Sequence, residues 1–127
     1  MMAEKLYPAS WDILDTELSD WNVQYGNVAY STNYLTVEVS ATHQVVLLGE
    51  NADIPAGTYQ YEISVNSAGQ SAKIAYSING NATDIANFAN ASISGTVTLP
   101  ANANLLFVNG STTASRTFTV NKFKQIS

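Results

Sequence analysis

The sequence has no cysteine, one histidine and few charges: five Lys and Arg against ten Asp and Glu, together 12% of 127 residues. Each shortage removes a class of chemistry. Without cysteine there is no disulfide framework, no thiolate metal site and no thiol nucleophile. Five scattered basic residues in a chain of net charge -5 argue against nucleic acid as a partner, because neutralising phosphates takes clustered Lys and Arg. No apolar run is long enough to span a bilayer, so no membrane partner is expected. The opening MMAEKLYPASWD also lacks the apolar stretch after basic residues that marks a secretory signal, so either the chain is made and used without secretion or a signal has been removed from it.

Catalysis is hard to build from what remains. His43 follows Ser40-Ala41-Thr42 at a strand start, with no nucleophile elbow to serve, and reads as a surface histidine. Glu38, Glu50 and Asp53 could supply paired carboxylates, but a short sandwich without a large loop offers little cleft to raise the pKa of one of them. Glu50 and Asp53 lie three apart in GENADIP and could share a calcium ion with backbone carbonyls; they read as solvated loop acids. Glycine-rich phosphate loops are absent. The sequence therefore predicts no enzyme, no catalytic residue, no metal and no cofactor. Three Asn-x-Ser/Thr triplets, at 81, 90 and 109, read as by-products of an Asn-, Ser- and Thr-rich surface.

What the chain does have is alternation. In TYQYEISVN, Tyr59, Tyr61, Ile63 and Val65 fall on one side of an extended chain, and Thr58, Gln60, Glu62 and Ser64 on the other. YLTVEVS, AKIAYSI, ISGTVTL and RTFTV repeat the pattern, while HQVVLLG and NLLFVN are continuous apolar runs of the kind buried on both sides. After Val120 the phase slips to Phe123, which places a bulge at Asn121 and Lys122. Asn-Gly pairs at 79 and 109, with NSAGQ and LPANAN, punctuate the strands and predict tight turns at the two pairs. Eight or nine strands with a turn roughly every ten residues predict an all-β protein: one antiparallel, jelly-roll-like β-sandwich over residues 21–127.

Residues 1–20 differ. Half of the acids, Glu4, Asp12, Asp15, Glu17 and Asp20, sit here, and Trp11, Leu14 and Leu18 have helical spacing behind Ser10, so one short helix near 10–18 is predicted. Two readings stay open for this segment: an arm that docks on a partner, or a surface segment folded on its own sandwich. In the first, Tyr7, Trp11, Ile13 and Leu14 are the partner-binding residues, with the acids meeting basic groups.

DWNVQYGNVAYSTNYLTVEV, IPAGTYQYEISVNSAGQSAKIAYSING, GTVTLPANANLLFVNG and RTFTVNKFKQI resemble the jelly-roll carbohydrate-binding modules attached to glycoside hydrolases. Trp21, Leu35, Val37, Pro55, Gly57, Tyr59, Phe118 and Val120 carry the likeness, and all have core or turn work. The resemblance implies a structural calcium held by an acid in the last strand, where this chain has Asn121 and Lys122. It also implies exposed aromatics for stacking on sugar rings. The faces opposite the core hold none: they read Thr36, Glu38, Ser40; Thr58, Gln60, Glu62, Ser64; Lys73, Ala75, Ser77; Ser94, Thr96, Thr98; Thr117, Thr119. The remaining aromatic candidates are Tyr25, Tyr30 and Tyr34, close in sequence and able to share one rim of the sandwich as a sugar site.

In size and surface composition the chain also resembles small bacteriophage virion proteins: head decoration proteins, head fibres and tail appendages. That likeness implies a structural virion component, made in the host cytoplasm, docking through its arm on a capsid protein or on a sister subunit as a homo-oligomer. It is the leading expectation. The alternative is an extracellular carbohydrate-binding module for a polysaccharide, using the three tyrosines.

Overall fold

A computed structural model of the protein describes residues 10–69 and 71–127. The alternating segments become ten strands: β1 (Trp21–Asn22), β2 (Gly26–Tyr30), β3 (Leu35–Val39), β4 (His43–Leu47), β5 (Gly57–Val65), β6 (Lys73–Ile78), β7 (Asn81–Asn87), β8 (Ser92–Leu99), β9 (Asn104–Asn109) and β10 (Arg116–Gln125). They form two antiparallel five-stranded sheets, ordered β2-β3-β10-β5-β8 and β1-β4-β9-β6-β7. This is the predicted β-sandwich.

Period-two patterning explains the layering. Tyr59, Tyr61, Ile63 and Val65 of β5 are buried, as are Leu35, Val37 and Val39 of β3, and they meet Val45, Leu47, Ile74, Leu105 and Phe107 from the second sheet. Phe118 sits between Phe88 and Phe107, its ring 5.4 and 5.7 Å from theirs in edge-on geometry. The phase slip in β10 is a bulge: pairing with β5 shifts between Val120 and Lys122, which turns Phe123 back into the core. The turn at Asn79-Gly80 has positive φ at both residues (50° and 82°), as a two-residue hairpin loop requires.

Two expectations fail locally. Residues 10–18 form no α-helix; two single 3-10 turns, Ile13–Asp15 and Leu18–Asp20, stand there instead. The Asp12 carboxylate caps the first by accepting from the Leu14 N–H at 3.0 Å, and the second is closed by a reciprocal Glu17–Asp20 box. Nor is the second Asn-Gly pair a positive-φ turn. Asn109 ends β9 with its side chain buried, donating to the carbonyls of Val39 (3.0 Å) and Ala114 (2.9 Å) and accepting from Ser111 N–H (3.0 Å).

Arg116 completes that knot. It is 1% exposed, and its guanidinium donates to Asn109 Oδ1 at 2.8 Å, to the Ser67 carbonyl at 2.7 Å and to the Gly69 carbonyl at 2.6 Å. One cation thus ties the β5–β6 loop to the β9–β10 loop at one end of the sandwich.

Candidate functional site

A docking arm is one of the two readings the sequence leaves open for residues 1–20, of which 10–20 are described. Tyr7 lies outside the described residues. Ile13 is 0% exposed, inside the protein's own core, and so offers no surface to a partner. Trp11 and Leu14 are half-buried against the same core. The Trp11 indole donates to the Ala52 carbonyl, its backbone exchanges hydrogen bonds with Gln125, and Asp12 bridges Lys124. The described part of the segment is thereby integrated into the sandwich.

The three tyrosines do not share a rim. Tyr25 precedes β2 and Tyr34 precedes β3, so they stand at opposite ends of a five-residue hairpin, about 20 Å apart along the strands. Tyr30 is spent on structure. Its hydroxyl accepts from Trp21 Nε1 at 2.9 Å and lies 2.6 Å from Thr16 Oγ1, which itself donates to the Ile13 carbonyl. Tyr34 is exposed in the β2–β3 turn.

Two of the clefts among the described residues lie by the outer face of the second sheet. Because Val45, Leu47, Ile74, Leu105 and Phe107 point into the core, their neighbours point outward. Strand register sets these in rows: Val46, Leu106 and Ala75 side by side in the middle, Gln44, Val108, Lys73 and Asn87 on one flank, Asn104, Ser77 and Ala82 on the other. Ala75 is 1% exposed and Leu106 7%, although neither belongs to the core cluster. The small and aliphatic side chains at the middle of this face are therefore largely covered by longer neighbours, with Asp84 of β7 beside Ala75, and they form a low strip between the two flanks, a shallow trough.

A cleft closes each end of the trough. One, of about 490 Å³, is lined by Tyr25, Thr42, His43, Gln44, Val108 and Gly110. Here the Tyr25 and His43 rings stack face to face, 3.8 Å apart and within 2° of parallel. The loops hold both rings in place: Ser40 N–H donates to the Tyr25 carbonyl, His43 N–H to the Ser40 carbonyl, and Thr42 N–H to the Ser111 carbonyl. The other cleft, of about 480 Å³, is lined by Leu48, Glu50, Asn51, Ser77, Asn102 and Asn104. Asn104 Oδ1 accepts from Gly49 N–H at 2.8 Å, which turns its amide nitrogen toward Ser77. Asn104 and Val108 are four residues apart on β9, so the clefts are separated by about 13 Å.

The lining is aliphatic on the floor and amide or hydroxyl at the rim, with Lys73 paired to Asp84 at 3.0 Å. Such a lining sets apolar surface beside hydrogen-bonding edges. Among the described residues no cluster of three or more His, Asp or Glu side chains could hold a metal ion. The outer face of the first sheet is different: rows of Thr, Ser, Glu and Lys, with Glu62 facing Lys122. Of the sequence candidates the trough takes Tyr25; Leu106, Val108, Gln44 and His43 join it from outside that set. The signal available for Leu106 and Val108 was the continuous run NLLFVN, whose outward half is too apolar for plain solvated surface; none marked Gln44 or His43.

No protein-family profile matches the sequence, and no curated protein matches it either. Solved structures do match. A point mutant of CBM29-2, from work on ligand recognition by family 29 carbohydrate-binding modules, superposes with a TM-score of 0.57 at 10% identity, over 91% of this chain and 82% of that one. The N-terminal cellulose-binding domain of β-1,4-glucanase C from Cellulomonas fimi gives 0.51 at 19% identity, over 96% and 99%. The secreted serine protease VesC from Vibrio cholerae gives 0.53 at 14% identity, but over only 25% of its own length. At these identities the likeness is one of fold: a two-sheet antiparallel sandwich shared with carbohydrate-binding modules.

Proposed function

We propose that the chain is a non-enzymatic carbohydrate-binding domain that takes a neutral polysaccharide into the trough on the outer face of the second sheet. The observation that carries the reading is the pair of clefts on this face, one of them walled by the stacked, solvent-exposed Tyr25 and His43 rings. The modules whose fold it shares support the same reading. Tyr25, backed by His43, supplies an aromatic surface for a sugar ring at one end, Val46 and Leu106 the apolar floor, and Gln44, Asn104 and Ser77 the hydrogen-bonding edge. The net charge of -5 favours a neutral glycan over an acidic one. In this reading the domain works outside the cell, where polysaccharide is.

The test is electrophoresis of the full chain in native gels containing soluble glucans, mannans or xylans, beside a Leu106→Arg variant that fills the trough. Retardation of the unmodified protein by one class, lost in the variant, is expected. Equal mobility in every gel would remove the reading.

The virion reading, with a capsid or sister subunit as partner, rests on size and surface composition. Its docking anchors Trp11, Ile13 and Leu14 are engaged within the domain, so it stands second.

A further inference from the structure

We propose that β8 is the interface of a symmetric homodimer, pairing antiparallel with β8 of a second copy so that two five-stranded sheets join edge to edge into one. β8 is the outermost strand of the first sheet and pairs along all eight of its residues with β5. The Val65 N–H donates to the Ala91 carbonyl, so residues 91, 93, 95, 97 and 99 direct their backbone polar groups at β5. The N–H and C=O groups of Ser92, Ser94, Thr96 and Thr98 then point to the open side. Among the described residues none receives a backbone hydrogen bond there.

Natural sheet edges are guarded by charge, proline, bulges or shortness. The other three edges here have such guards or are short: β7 carries Asp84 and faces a register break, β1 has two residues, and β2 has five. β8 has none. Ser92–Leu99 holds no charge, no proline and no break in register. Its inward side chains Ile93 and Val97 are only half-buried, whereas their neighbours on β5 are buried, so apolar surface remains uncovered along this edge.

The strand is complementary to itself. Placing Gly95 opposite the partner's Gly95 sets Ile93 against the partner's Val97 and keeps inward residues facing inward in both copies. The same register puts Ser94 opposite the partner's Thr96 and Ser92 opposite the partner's Thr98, each pair exchanging two hydrogen bonds through groups that now face outward. Gly95 suits the axis: a Cβ there would stand 2.8 Å from the Tyr61 hydroxyl, so the ring already covers the inner side of the glycine. Charge selects a second copy as the occupant. In a chain of net charge -5, β8 is an edge where two copies approach without like charges, and the one nearby acid, Glu62, is paired with Lys122 at 3.5 Å. The two-fold axis runs through the sheet, so both troughs face the same way, and a dimer would engage one polysaccharide surface twice. That consequence rests on the carbohydrate reading; the dimer does not.

Sedimentation equilibrium of the full chain over a wide concentration range tests it without any glycan. The expected mass is twice 13.6 kDa. Thr96→Pro removes an N–H on the open side only, which edge strands tolerate, and should weaken dimerisation by at least about tenfold with unchanged far-ultraviolet dichroism. Should that variant misfold, Val97→Lys, an inward charge at the edge, reports the same contact. A full chain that stays monomeric at the highest concentration overturns the proposal, as does a dimer indifferent to the folded variant.

Discussion

The indole of Trp11 stands edge-on to the ring of Tyr59, centroids 5.7 Å apart and planes at 78°, while its Nε1 donates to the Ala52 carbonyl at 2.9 Å. Eleven residues into the chain, a side chain thus closes the core under β5 and the β4–β5 connection. Trp11→Ala should therefore destabilise the isolated domain by about 2 kcal/mol, less than a fully buried tryptophan would because Trp11 is half-exposed. Urea denaturation measures this directly. A variant as stable as the parent would return residues 10–20 to the role of a loosely held arm.

Arg116 is the second structural wager. Its three donors reach Asn109, Ser67 and Gly69 from a position 1% exposed to solvent. Replacing it with Ala strands several buried acceptors, and Lys cannot reproduce the fork, so both variants should lose about 3 kcal/mol. Amide exchange should quicken first in the β5–β6 and β9–β10 loops, which the guanidinium joins. Equal loss of protection across all ten strands would instead make Arg116 part of the core rather than a tie between loops.

The sheet layering follows from side-chain alternation, which is a local property of the chain, and it could be read strand by strand from Tyr59 to Phe123. The trough could not. The runs HQVVLLG and NLLFVN mark Val46 and Leu106 as covered, but only the pairing of β4, β9 and β6 puts Val46, Leu106 and Ala75 in one row. Strand order is a long-range property that periodicity does not encode. The same limit misled the grouping of Tyr25 with Tyr30 and Tyr34: nearness in sequence becomes about 20 Å between Tyr25 and Tyr34 once β2 and β3 form a hairpin. Arg116 hid for a related reason, since a charged residue at the start of a strand reads as solvated unless its partners from two loops are known.

Tyr59 makes the alkaline limb of stability predictable. Burial pushes its phenol from 10.0 up to about 12, and the hydroxyl donates to the Pro55 carbonyl. The folded state holds the proton more tightly than the unfolded one, so stability is unaffected below pH 10 and falls as pH rises from 10 toward 12, by at most about 1.4 kcal/mol per pH unit from this group. Thermal unfolding followed between those values should show the decline. In Tyr59→Phe, which lacks the ionising group, the slope should be shallower, and an unchanged slope would assign the alkaline loss to other tyrosines.

Among the described residues Tyr25 and Tyr34 are the two exposed tyrosines, and they separate the readings of the surface. Tyr25 is 41% exposed and backed by a parallel His43 ring beside Gln44 and Val108, whereas Tyr34 is 39% exposed in a turn away from the trough. Equal exposure with unequal surroundings makes them a matched pair. If a sugar ring rests on the Tyr25–His43 stack, Tyr25→Ala should weaken polysaccharide affinity about tenfold, the worth of roughly 1.4 kcal/mol of aromatic contact, and Tyr34→Ala should leave it unchanged. Neither substitution touches the core, so titration calorimetry can compare both with the parent at equal stability. Loss confined to Tyr34→Ala would move the binding surface to the opposite end of the hairpin; equal affinities in all three proteins would leave the aliphatic floor at Leu106 to carry the contact alone.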